Sequence, residues 1–335
     1  MDKTLSRAFD LLRFPMAILV VFLHIDNAPR IAVMEYDWGA DWWQSSYYFS
    51  IIFVDNIAKI AVPCFFFISG YLFFKGMKVF GAKDYFTKVR SRLRSLVVPY
   101  ILWNLLAAIY LYVSQGLVLR PWYLNFTEPA NFPLWFLRDL IAVVLVSPLV
   151  YLIARYLKVV GLIAMAGLYV AGVVPPLWIF YFSSLFFFYL GAYCGMTLFV
   201  PKRGGKWEAV LYISATLMFA ATIAAYGTRT DAYLMPVYLI VGVMAAICFS
   251  CRLIDKGVKV IPVLAASSFF VYVSHKLGAT FVAKLLFDVL PHGYGTLTVR
   301  FIVAPFVAAA LCLAVYVAWQ KLSPRSLAFF VGRKQ

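Results

Sequence analysis

The stretch Leu11–Asn27, LLRFPMAILVVFLHIDN, is apolar enough to enter a bilayer, yet it carries Arg13 near one end and His24 near the other. On an α-helix their separation corresponds to a rise of about 16 Å and to about 20° beyond three full turns, so both side chains share one face. A charged side chain within a membrane span is costly and normally faces protein or an aqueous cavity. The stretch therefore predicts a transmembrane helix with a polar, functional face.

The composition is that of a polytopic membrane protein. Of the 335 residues, 64% are hydrophobic and 13% are charged, and the mean hydropathy is +0.87. A soluble domain cannot bury so much apolar surface. The formal net charge of +16 comes from basic residues in the breaks between apolar runs. That distribution is typical of positive-inside topology and argues against nucleic acid as a partner.

Apolar runs divided by basic or turn-rich breaks predict an all-α bundle of about ten transmembrane helices. The predicted spans lie near residues 9–27, 57–75, 95–114, 133–154, 159–175, 177–199, 208–226, 233–252, 261–281 and 298–319. Most lysines and arginines fall in breaks that are cytoplasmic if the N-terminus is cytoplasmic. Both termini are therefore predicted to be cytoplasmic.

The chain is predicted to form a single membrane domain over residues 1–335, without an appended soluble domain. On the predicted topology, segment 27–56 is external, and it is acidic and rich in Trp and Tyr. It fits either an interfacial helix whose rings stack on sugars or an ordinary aromatic belt. All five cysteines lie in apolar runs, so we expect no disulfide framework.

The first candidates for chemistry are His24 and Arg13. Near the external end of the first span, a neutral imidazole can act as general base for a hydroxyl or accept an acyl group itself. The alternative for His24 is an ordinary interfacial histidine. Arg13, on the cytoplasmic side, can hold a phosphate through its planar fork, or it can snorkel or pair with Asp10.

A second basic cluster, Arg90, Arg92 and Arg94, lies before the third predicted span in YFTKVRSRLRSLVVPY. These arginines are either topology signals that contact lipid headgroups or a clamp for a polyphosphate donor. In VPCFFFISGY, Ser69 and Gly70 favour a close approach between helices. No metal-ligand spacing or glycine-rich phosphate loop appears in the sequence, so we expect no metal site.

Several stretches resemble the acyltransferase-3 family of multi-pass membrane O-acyltransferases, the OafA/NodX-like group. They are the Arg13-to-His24 spacing, VPCFFFISGYLFF, RSRLRSLVVPYILW, PLWFLRDLIAVVLVSPLV, FFFYLGAYCG and SSFFVYVSHKLG, in the family's order. The resemblance implies a ten-helix bundle that moves an acyl group, usually acetyl, to a hydroxyl of an extracytoplasmic glycan or glycolipid. It implies cytoplasmic acyl-coenzyme A as donor substrate and no permanently bound cofactor.

On this resemblance, His24 corresponds to the family's essential first-helix histidine and Arg13 to its partner arginine. Candidates for the acceptor site or channel are Asp26, Ser69, Trp135, Tyr272 and His275. The expected partners are membrane lipid, acyl-coenzyme A and a cell-surface glycan, and the expected location is the bacterial inner membrane. The alternative function is a transporter or flippase for a polar lipid or sugar. Against it, the sequence shows neither matching halves nor paired helices broken by Gly or Pro.

Overall fold

The computed structural model of the protein describes residues 3–24, 51–115, 129–173, 180–289 and 294–332. Within these ranges every regular element is helical, as predicted. The α-helices are α1 (Lys3–His24), α2 (Ala61–Phe74), α3 (Ala82–Gln115), α4 (Trp135–Leu145), α5 (Ser147–Leu152), α6 (Lys158–Val170), α7 (Phe182–Met196), α8 (Lys206–Ala224), α9 (Asp231–Asp255), α10 (Pro262–Val289), α11 (Tyr294–Leu322) and α12 (Pro324–Phe330). Short π or 3₁₀ turns cover Phe53–Ile57, Ala58–Ile60, Phe132–Leu134 and Ile153–Leu157. Asp26 and most of the predicted external segment lie outside the described residues.

Several helical runs are long and apolar enough to cross a bilayer, which makes the chain a multi-pass membrane protein. In the described part of the chain there are six: Phe53–Phe74, Ala82–Val113, Ser147–Val170, Lys206–Ala224, Asp231–Asp255 and Ile302–Leu322. The count of ten spans and the cytoplasmic placement of both termini stay predictions.

One of these runs, Ser147–Val170, covers a position where the sequence predicts a break between two spans. The structure places the π-helical turn Ile153–Leu157 there. At Lys158, φ is 49° and ψ is −126°, which lies outside the helical region. A non-glycine residue with positive φ interrupts regular helix geometry, so the chain changes direction near the predicted break.

Helix α1 lies at the centre of the bundle, where it contacts α2, α9, α10 and α11. Ala8, Ala17 and Val21 are completely buried. A helix with buried residues on several faces packs in the interior of a bundle. Both functional candidates on this central helix nevertheless keep partly exposed side chains.

Helices α2 and α7 approach each other at glycines. A Cβ atom built on Gly70 would lie 2.0 Å from the carbonyl oxygen of Phe188, and one on Gly191 would lie 2.0 Å from that of Phe67. The close approach predicted at Gly70 is thus present, and the spacing of Gly191 and Gly195 is that of a helix-packing motif. Ser69 does not take part in it, because its side chain lines a cavity on another side of α2.

Breaks predicted to be cytoplasmic lie together at one end of the bundle. Thr4 Oγ1 donates to Asp255 Oδ1 at 3.3 Å, and Asp255 Oδ2 pairs with Arg203 Nε at 2.6 Å. At the opposite end, Tyr226 donates through its hydroxyl to Asp55 Oδ2 at 3.0 Å. The end that contains Thr4 and Asp255 is called the Thr4 end, and the end that contains Asp55 and Tyr226 is called the His24 end.

Candidate active site

A cavity of about 350 Å³ lies among α1, α2, α3, α4 and α10. Its polar lining consists of Arg13, Ser69, Arg92, Ser95, Ser268 and Tyr272, and the remaining walls are apolar, with Phe65, Phe136 and Leu140 among them. No acidic residue is among the described residues that line it. Two guanidinium groups at a largely apolar cavity suit a ligand with an anionic end and a long apolar arm.

Arg13 makes the predicted pair with Asp10 and also lies at the cavity. Its Nη1 lies 2.9 Å from Asp10 Oδ1 on the preceding turn of α1, and its side chain is 36% exposed. The same side chain lines the cavity. Pairing with Asp10 therefore leaves Arg13 in position to contact a ligand.

The three arginines of α3 lie on two faces of the helix. Residues two apart on an α-helix are turned by about 200°, so Arg92 points away from Arg90 and Arg94. Arg92 is partly buried and lines the cavity, whereas Arg90 and Arg94 are exposed. The structure thus brings one member of the predicted donor clamp next to Arg13.

Two histidines meet at the His24 end. The ring centroids of His24, on α1, and His275, on α10, are 5.1 Å apart. The ring of Phe132 lies 6.0 Å from that of His24 on another side. The sequence predicted a role for each histidine but could not place them together.

Hydrogen bonds define which nitrogen of each imidazole is free. His24 Nδ1 lies 2.8 Å from the carbonyl oxygen of Val20, and His275 Nδ1 lies 2.6 Å from that of Tyr272. A carbonyl oxygen only accepts, so Nδ1 carries the hydrogen and Nε2 of a neutral ring keeps its lone pair. His275 Nε2 is buried and has no hydrogen-bond partner in the described part of the chain. The pair can accept protons.

Tyr272 joins the cavity to the histidines. Its side chain lines the cavity, its ring lies 6.2 Å from that of His275, and its hydroxyl donates to the carbonyl oxygen of Pro133. Arg13 lines the cavity, but His24 is not among its lining residues. A continuous channel lined by both residues therefore stays a prediction.

Two buried asparagines hold the segment before α4 against α10, the helix that carries His275. The amide group of Asn131 donates to the carbonyl oxygen of Val273 at 2.9 Å, and its backbone N–H donates to Asn104 Oδ1 at 3.1 Å. Both side chains are almost fully buried. The sequence pattern does not single out this pair, although an asparagine inside a predicted span, as at position 104, indicates a polar contact within the bundle.

A buried ion pair at the start of α4 was also missed. Arg138 Nη2 lies 2.8 Å from Asp139 Oδ1, and Asp139 Oδ2 accepts from Tyr181 N at 2.9 Å and Ser184 Oγ at 2.7 Å. Trp135, a predicted site residue, packs edge-on against Tyr181 at 5.4 Å. Trp135 therefore belongs with this cluster, which ties α4 to the start of α7, and it does not line the cavity.

Comparison with known proteins identifies the family of the chain. The model of the family described as "Acyltransferase domain" matches residues 6–319. The chain is 26% identical to the succinoglycan biosynthesis protein ExoH of Rhizobium meliloti (strain 1021) over an alignment of 368 residues. The alignment covers 100% of this chain and 94% of that protein. No solved structure matches the chain. Because the family model covers nearly the whole bundle, the protein belongs to the acyltransferase-3 family and is a membrane acyltransferase.

Proposed function

We propose that this protein is a membrane O-acyltransferase that moves an acyl group, acetyl in the first instance, from cytoplasmic acyl-coenzyme A to a hydroxyl of an extracytoplasmic glycan. The observation that carries the proposal is the cavity with two arginines, joined through Tyr272 to a pair of histidines. A glycan acceptor is supported by the relative ExoH, which is a succinoglycan biosynthesis protein. That relative comes from a bacterium, which favours the bacterial inner membrane as the location.

The donor is held in the cavity that Arg13 and Arg92 line. The guanidinium groups of Arg13 and Arg92 bind phosphate groups of coenzyme A, because planar donors match phosphate oxygens. The pantetheine arm follows the apolar lining past Ser69 and Phe136 towards Tyr272. This places the thioester near the histidines and spares the reaction the entropy of a bimolecular encounter.

The acceptor hydroxyl reacts at the His24 end. Nε2 of His24 takes the proton of that hydroxyl, and the oxygen attacks the carbonyl carbon of the thioester. The carbon–sulfur bond then breaks, and the coenzyme A thiolate leaves and takes up the proton held by His24. Nε2 of His275, which lies on the neighbouring ring, can share that proton while it is on the pair. The Nδ1 contact with Val20 keeps the His24 ring in the orientation that this step requires.

Acyl transfer in purified membranes tests the function. Membranes that contain the protein are supplied with labelled acetyl-coenzyme A or succinyl-coenzyme A and with a panel of cell-surface glycans, and labelled ester on the glycan is measured. We expect ester formation with at least one donor, and no ester in membranes that lack the protein. If no acyl-coenzyme A supports transfer to any glycan, the proposed function is wrong.

The placement of the α3 arginines gives a prediction with a matched control. We expect Arg92→Gln to raise the KM for acyl-coenzyme A about tenfold, because a charge-assisted phosphate contact is lost. Arg90→Gln removes the same charge from an exposed position two residues away and should leave that KM nearly unchanged. Initial rates at varied donor concentration measure both. If the two variants have equal KM values for acyl-coenzyme A, Arg92 does not bind the donor and acts only as a topology signal.

Arg13→Lys separates the two contacts of Arg13. Lysine keeps the positive charge and can pair with Asp10, but it loses the planar fork that binds a phosphate through two hydrogen bonds. We therefore expect transfer to fall by about tenfold or more, chiefly through weaker donor binding. Arg7→Lys, on an exposed part of the same helix, is the control and should be silent. Near-normal acyl transfer in Arg13→Lys would show that Arg13 is only a topology signal paired with Asp10 and does not bind the donor.

A further inference from the structure

The chain folds back after α11 and packs against the middle of α3. Trp103 Nε1, on α3, donates to the carbonyl oxygen of Phe330 at 3.1 Å. The ring of Phe330 lies between Trp103, at 6.1 Å, and Trp319, at 4.9 Å. Leu327 is 3% exposed. The segment Pro324–Gly332, called here the C-terminal segment, is therefore docked on the bundle.

The last turn of this segment makes a close backbone contact. Gly332 has φ of +65°, and a Cβ atom built on it would lie 2.2 Å from the carbonyl oxygen of Ser95. Only glycine tolerates both the backbone conformation and the short distance. The contact holds Gly332 directly against α3 at Ser95.

This contact places the segment at the cavity. Val331, next to Gly332, is one of the lining residues, together with Arg92, Ser95 and Leu96 of α3. Arg92 lies three residues before Ser95, about one helical turn away. The C-terminal segment thus contributes Val331 to the lining of the cavity, on the side where Arg92 lies.

We infer that the C-terminal segment Pro324–Gly332 forms one wall of the donor site, so that binding of the anionic part of acyl-coenzyme A requires the segment to be docked. The inference rests on the proposed function, because it takes acyl-coenzyme A as the ligand of the cavity. Docking excludes water from the cavity around Arg92 and so strengthens its contact with a phosphate. It also limits the volume in which the ligand is held.

Two variants and a matched control test the inference, with coenzyme A as the probe in calorimetry on the purified full chain. Gly332→Ala introduces a Cβ that meets the Ser95 carbonyl, so the segment must move, and we expect coenzyme A affinity to fall about tenfold. Gly257→Ala is the control, because Gly257 also has positive φ, +89°, but has nothing within 4 Å of an added Cβ. We expect its affinity to match the wild type. Val331→Phe leaves the backbone contact in place and fills part of the cavity, so it should also weaken binding.

The outcomes separate this inference from the proposed function. If the wild type binds coenzyme A and both Gly332→Ala and Val331→Phe bind it equally well, the wall assignment is wrong while the proposed function stands. If Gly332→Ala does not accumulate as folded protein, the coenzyme A affinity of Val331→Phe alone decides whether the segment forms a wall of the site. If the wild type neither binds coenzyme A nor transfers from its thioesters, the proposed function and this inference fail together. In active variants, the KM for the glycan should not change.

Discussion

His24→Ala is expected to insert and purify normally while losing acyl transfer by about 10²–10⁴-fold, the usual loss when a general base is removed. The free Nε2 of His24 is the group placed to take the acceptor proton, because Nδ1 is bound to the Val20 carbonyl. The neighbouring His275 does not replace it, because the His275 side chain is fully buried and an acceptor hydroxyl cannot reach it. Turnover of labelled donor at saturating concentrations measures the effect.

His24→Gln is the companion variant, because a glutamine amide can donate to the Val20 carbonyl but cannot act as a base at neutral pH. Both variants should be inactive and should elute from gel filtration as the wild type does. Activity above about a tenth of wild type in His24→Ala would contradict a role as base or nucleophile. Recovery of activity in His24→Gln alone would instead show that His24 only positions other groups.

Gly191→Ala is expected to prevent normal packing of α2 against α7. The added Cβ would lie 2.0 Å from the Phe67 carbonyl oxygen and 2.9 Å from the Tyr71 nitrogen. Both are backbone atoms of a helix and cannot turn aside as a side chain can, so the two helices must separate. Overpacking of this kind typically costs about 1–3 kcal/mol or more. The yield and unfolding temperature of detergent-solubilised protein should both fall.

Gly167→Ala is the matched control for this variant. Gly167 lies in helix α6, is exposed, and has nothing within 4 Å of an added Cβ. Because alanine favours helix over glycine by roughly 0.5–1 kcal/mol, this variant should be as stable as the wild type or slightly more so. If Gly191→Ala and Gly167→Ala accumulate equally and unfold at the same temperature, α2 and α7 do not pack through their glycines.

Much of the fold could be predicted because it depends on local pattern. Eleven residues on one helix define a common face, so the relation of Arg13 to His24 follows from helix geometry alone. Small residues in an apolar run indicate a helix contact, and Gly70 provides one. The apolar runs and the basic breaks likewise predict an all-helical membrane protein, and the described residues are helical.

Contacts between distant parts of the chain could not be predicted in this way. Helical periodicity separates Arg92 from Arg90 and Arg94, but it does not say which face meets the cavity. The hydrogen bonds of Asn131 and Asp139 could not be predicted, because their partners, Val273 and Ser184, are far away in the sequence.

The sequence by itself determined that this protein is a helical membrane bundle with a polar face on its first helix, because hydropathy and helical period are properties of short segments. Only the tertiary structure decided that His275 meets His24, that Tyr272 joins them to the cavity, and that Val331 lines the cavity together with Arg92. The physical reason is that a segment specifies which of its faces is apolar or polar. Which other segment covers that face depends on how side chains of the whole bundle pack together.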